Sequence, residues 1–234
     1  MDKIVLKGLD LTCYQETLKN GLHVFVIPFD KVNGKYATLS TPFNSTVVEF
    51  VPKEKTKFRK VHAGIAHFLE HQMFSQINRQ NPMQFYSEHS CDCNAFTSKK
   101  KTSYVFSGTN FFEEGLNFLL DYVQDPMITE ETVAKEKGII TEELKMYQDR
   151  PGSVLYDRIC LNTFHVLPFR YPIGGRVEDV ENTTRDEIMD CYHTFYHPEN
   201  MFLVVTGNVN PEEIIGLVRN NQEQKILAED IVPG

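Results

Sequence analysis

Between Ile65 and Phe74 the chain sets two histidines and a glutamate into a run that is apolar almost all round a helix, its apolar members being Ile65, Ala66, Phe68, Leu69, Met73 and Phe74. A helix of that kind belongs inside a fold, where each polar group needs a partner. At about 100° per residue His67 and His71 lie only about 40° apart, so both imidazoles can reach one ion. Glu70 falls about 60° to the other side of His67. It then borders the position such an ion leaves open, which is the place of a general base. Two histidines one turn apart can also be satisfied core residues, and that reading competes.

A hydrolytic zinc site takes three protein ligands and keeps a fourth position open. The long helix expected from Thr129 to about Gln148 offers the third. Thr129 can cap its start, Glu130 and Glu131 suit the dipole of its first turn, and Pro151 follows its end. Val133, Ile139, Ile140, Leu144, Met146 and Tyr147 mark its apolar face. Glu136 and Glu143 fall near the middle of that face and Glu142 toward its edge. Burying those two carboxylates bare would cost several kcal/mol each, a cost that a divalent cation or the histidines would offset.

The rest of the pattern is mixed. Residues 14–18 and 22–28 alternate apolar and polar on either side of Asn20-Gly21, a strong hairpin signal. Extended patterns follow at 36–43, 46–51, 92–97, 102–107 and 201–206, with a charged loop over 53–60. Helices are expected over 111–123, from Pro151 to about Phe164, from Thr184 to Phe195, and after Asn210-Pro211-Glu212-Glu213. This order predicts an α+β fold of two layers, a mostly antiparallel sheet with helices packed on one face and the two site helices side by side. Residues 1–219 form its domain. The polar tail 220–234, which ends in Pro233-Gly234, reads as a linker.

The formal net charge is −8, with acidic residues spread along the chain, so phosphate backbones and anionic lipid are not expected partners. The apolar runs are strand-sized, too short for a membrane span. No signal-peptide stretch follows Met1, and five cysteines cannot all pair within one chain; a reduced, cytoplasmic compartment is expected. Cys91-Asp92-Cys93 has no second pair and no zinc-ribbon spacing.

Four blocks resemble one family in that family's order: Gly64-Ile65-Ala66-His67-Phe68-Leu69-Glu70-His71, Asn94-Ala95-Phe96-Thr97-Ser98, Glu136 through Glu143-Leu144, and Pro198-Glu199-Asn200-Met201 leading into Val204-Val205-Thr206-Gly207. The family is that of pitrilysin, insulin-degrading enzyme and mitochondrial processing peptidase, the inverzincin zinc metallopeptidases. The resemblance implies one zinc per chain held by His67, His71 and Glu143, with Glu70 as base and Glu136 as supporting carboxylate. It also implies that Asn94, Ala95, Phe96 and Thr97 form an edge strand on which an extended peptide adds. Members of the family are built from two related halves. This chain has the length of one, so a second half, in a longer chain or a partner subunit, is the expected partner beside the peptide. The competing function is a non-catalytic peptide- or partner-binding module on the same fold. The complete set His67, Glu70, His71 and Glu143 favours the enzyme, because a scaffold has no need of a base beside a metal.

Overall fold

A computed structural model describes residues 1–53, 55–75 and 79–230, with side chains as far as Lys225. Among these, nine strands run β1 (Asp2–Leu6), β2 (Leu11–Thr17), β3 (His23–Pro28), β4 (Lys35–Thr41), β5 (Glu49–Phe50), β6 (Arg59–Lys60), β7 (Asp92–Thr97), β8 (Thr102–Gly108) and β9 (Phe202–Gly207). The α-helices are α1 (Ile65–Gln72), α2 (Pro82–Glu88), α3 (Phe112–Gln124), α4 (Glu130–Gln148), α5 (Pro151–Thr163), α6 (Val177–Asn182), α7 (Arg185–Phe195) and α8 (Pro211–Asp230).

Seven strands make one sheet in the order β1-β2-β3-β9-β4-β8-β7. Every neighbouring pair is antiparallel except β3 and β9. The alternation that makes these segments strands also decides which side is covered. Val24 and Val26 of β3, Leu203 and Val205 of β9, Ala37 and Leu39 of β4, and Tyr104 and Phe106 of β8 are buried on one face. On that face α1 lies against β7 and β8, α3 against β4 and β8, and α8 against β3. Each large apolar side chain fully buried there contributes about 1.5–3 kcal/mol. The fold is the expected two-layer α+β arrangement, with α1 beside α4.

Several expectations change. Residues 46–51 yield only the two-residue strand β5, while β1, α2 and α6 were not anticipated. Residues 220–230, read as a linker, continue α8 instead. Their polarity is not that of a solvated loop. Gln222 is buried and exchanges hydrogen bonds with Gln124 of α3, Asn20 donates to it, and Lys225 donates to the Leu120 carbonyl and to Gln124. Gln222 and Lys225 pack through polar partners, so an apolar period does not mark this part of the helix. Residues 231–234 of that segment and residue 54 of the charged loop lie outside the described residues.

Candidate metal centre

Gly64 opens α1 in the left-handed region, at φ 85°. A side chain there would meet the Gly174 backbone at 2.2 Å, so close approach as well as φ calls for glycine. At the other end of the helix, Gln72 fixes α1 against the start of α4. Its Nε2 donates to the Thr132 carbonyl at 3.3 Å, and its Oε1 lies 2.9 Å from Thr132 Oγ1. Thr132 also completes the capping box with Thr129 that starts α4. The start of α4 and the end of α1 are thus set together, and Glu143 follows at a fixed distance along the helix.

The result is a convergence of three donors. Glu143 Oε2 lies 3.2 Å from His71 Nε2 and 3.7 Å from His67 Nε2, and one ligand atom from each residue lies within 4.8 Å of the others. Two donors about 2.0–2.1 Å from one tetrahedral ion stand about 3.3 Å apart, so this set fits a zinc ion. Glu136 Oε2 sits 3.3 Å from Nδ1 of His71, the nitrogen left over for an orienting partner. Glu136 and Glu70 are both buried, whereas Glu142 is exposed and pairs with Lys145 at 2.7 Å. Buried carboxylates gathered round two imidazoles are an electrostatic cage for a cation.

The two rings differ in character. Burial, with His71 alongside, pushes the His67 imidazole down to about 4. Burial would lower His71 as well, but hydrogen bonds to Glu136 and Glu143 outweigh it and hold that ring up to about 9. The His71 hydrogen bond likewise keeps Glu143 below the usual carboxylate range. Burial pushes Glu70 up, against the hydrogen bond that Thr97 donates to it. Nδ1 of His67 is buried without a hydrogen-bond partner among the described residues. Gly174 packs over that ring, and a Cβ there would stand 3.5 Å from Nδ1.

These residues lie in a cleft of about 1740 Å³, whose walls include α4, α5, the segment from Arg170 to Glu178, and β7. Asn94, Ala95, Phe96 and Thr97 all line it, and β7 is an edge strand of the sheet. The Ala95 amide donates to Asn94 Oδ1 at 2.9 Å. Three residues of the expected apolar face of α4, Ile139, Met146 and Tyr147, are substantially exposed; Ile139 and Tyr147 line the cleft. The periodicity marked a face turned partly toward the cleft, where apolar side chains remain open.

The structure brings the expected donors His67, His71 and Glu143 together, with Glu136 beside His71, but the far wall of the cleft was not expected from the sequence. Gly174-Gly175 was a readable turn signal. Lys99 was not readable at all: from the turn after β7 it donates to the carbonyls of Phe169 and Tyr171, tying this wall to the edge strand.

Comparison with known proteins gives a consistent result. The family description "Insulinase (Peptidase family M16)" matches residues 59–175, and "Peptidase M16 inactive domain" matches residues 182–228. An uncharacterized zinc protease of Bacillus subtilis, YmfH, is 44% identical over 222 residues, covering 95% of this chain and 52% of that protein. An uncharacterized zinc protease of Rickettsia bellii is 30% identical over 207 residues, 85% of this chain and 47% of that one. The chain spans about half the length of the curated relatives it matches. The crystal structure of a putative M16-like peptidase from Alicyclobacillus acidocaldarius superposes with a TM-score of 0.88 at 34% identity, over 94% of this chain and 51% of that one. Pitrilysin, at a TM-score of 0.76 and 18% identity over 94% of this chain and 24% of that one, shares the fold.

Proposed function

Because the chain belongs to the insulinase family of peptidases, M16, we propose that it is the zinc-binding half of a metallopeptidase that hydrolyses peptide bonds in extended or unfolded peptides. The observation that carries this reading is the convergence of His67 Nε2, His71 Nε2 and Glu143 Oε2 beside the buried carboxylate of Glu70.

When bound, zinc supplies Lewis-acid chemistry, polarising the scissile carbonyl and making water acidic near neutral pH. His67, His71 and Glu143 would hold it, and Glu136 fixes the His71 ring through Nδ1. Glu70 takes a proton from the attacking water and returns it to the leaving amine. β7 receives the peptide as an added strand, which reads main chain and so favours substrates that are already extended. A cleft this large exceeds the span of ordinary small-molecule pockets, about 300–1000 Å³, and suits a length of polypeptide. A second, related half would close the cleft; the half-length match to the relatives supports that expectation. The five free thiols fit a reducing, cytoplasmic setting. None of the helices is long and apolar enough to cross a membrane among the described residues.

Metal analysis of the purified protein tests the reading. About one zinc per chain is expected, lost in Glu143→Ala and kept in Glu142→Ala. A wild type that binds no zinc, or a Glu143→Ala protein that keeps it, would remove the basis of the assignment.

A further inference from the structure

β7 presents its residues alternately: Asp92, Asn94 and Phe96 are exposed, while Cys93, Ala95 and Thr97 are half-buried on the other side. Thr97 is the last of them. Its Oγ1 lies 2.5 Å from Glu70 Oε2 and is the hydrogen-bond partner of that carboxylate among the described residues. The hydroxyl has one proton to give, and its surroundings decide where it goes. Across the ladder Thr97 faces Thr102, whose Oγ1 is 3.3 Å away and donates its own proton to the Phe43 carbonyl at 2.9 Å. The proton of Thr97 is therefore spent on Glu70. This leaves Oε1 of Glu70 without a protein partner among the described residues, as the oxygen open to proton exchange.

We propose that Thr97 is the positioning residue of Glu70: its hydroxyl holds the carboxylate by Oε2 and leaves Oε1 for the proton. The proposal rests on the peptidase reading given above and adds to it a physical link between base and substrate. The strand to which a peptide would add also carries the hydroxyl that orients the base. A peptide registered on β7 is then registered on Glu70 through a single residue. Thr97 lines the cleft, but its side chain is committed to Glu70, so specificity must come from other lining groups such as Phe96 and Ile139.

The experiment uses the complete protein with Thr97→Val, which keeps the β-branched shape without the hydroxyl, and Thr97→Ser, which keeps the hydroxyl. Readouts are zinc per chain, cleavage of an internally quenched peptide of extended sequence, and the Glu70 side-chain orientation in crystal structures of each variant. Thr97→Val is expected to keep its zinc and its KM and to lose about tenfold to a hundredfold in kcat, the span covered by a hydrogen bond to a charged group. Its Glu70 carboxylate should turn away from the Thr97 position, and Thr97→Ser should restore both rate and orientation. A wild type that cleaves no peptide overturns the peptidase reading and this inference together. An active wild type matched by Thr97→Val overturns the inference alone. So does loss of zinc in Thr97→Val, or a Thr97→Ser protein as slow as Thr97→Val, since either would make Thr97 a packing residue.

Discussion

Glu136 Oε2 and His71 Nδ1 stand 3.3 Å apart, on the side of the imidazole opposite the nitrogen that meets Glu143. The ring is held by carboxylates at both ends, so its plane is set before any metal arrives. Glu136→Gln keeps the size of the side chain and removes its charge. Zinc affinity should fall about 10- to 100-fold, the usual cost of losing an orienting partner, with the fold intact. Competition against a chelating dye measures this; an unchanged affinity would show that packing alone orients His71.

The Glu70 carboxylate accepts from Thr97 and lies outside the group His67, His71 and Glu143. Glu70→Gln should retain about one zinc per chain and lose peptide hydrolysis by at least about 100-fold, as removal of a general base does. A variant that still turns over at the wild-type rate would assign the proton transfer elsewhere.

Gly64 adopts φ 85° directly before α1, with the Gly174 backbone where its Cβ would be. Gly64→Ala should destabilise by about 1–3 kcal/mol from backbone strain alone, with the clash against Gly174 added to it. Urea denaturation checks this. Gly138, in the middle of α4, has open space beside it, so Gly138→Ala should instead stabilise by about 0.5–1 kcal/mol.

In chelator-treated protein the two histidines pull stability in opposite directions with pH. His67 titrates at about 4 when folded, against 6.5 unfolded, so the unfolded chain binds more protons between those values. Stability is then lost as pH falls through that window. His71 titrates at about 9, so its contribution is complete below 6.5 and is lost as pH rises through 9. The melting temperature of metal-free His71→Asn should therefore trail the wild type most near pH 6 and approach it near pH 10. A gap that stays constant across that range would contradict the assignment. Zinc loading needs neutral imidazoles, so it should release a proton at pH 7.

The legible parts were those where a local period coincided with the final environment. His67, Glu70 and His71 sit on one short helix, and the wheel of α4 turned Glu136 and Glu143 inward because both do face the site. The same wheel failed for Ile139 and Tyr147, since a cleft wall is apolar without being closed. The end of α8 was hidden for the opposite reason. Gln222 and Lys225 are held by amides, a carboxylate and a carbonyl of α3 and the β2–β3 turn, partners that no period in their own segment reveals. The Thr97 to Glu70 link spans 27 residues between a strand and a helix, so only the fold could bring it to light.

The place of β9 has a consequence for how the chain is made. It lies between β3 and β4, pairing with both, although 160 residues separate Thr41 from Phe202. A ribosome releases His67, His71 and Glu143 well before the strand that joins the two parts of the sheet beneath them. Until residue 207 emerges, the early hairpin and the β4-β8-β7 group have no shared strand, and closing so long a loop is slow. During synthesis, then, the chain passes through an interval in which His67, His71 and Glu143 are all made while the sheet beneath them is still in two parts, and the strand that ends this interval supplies none of the three.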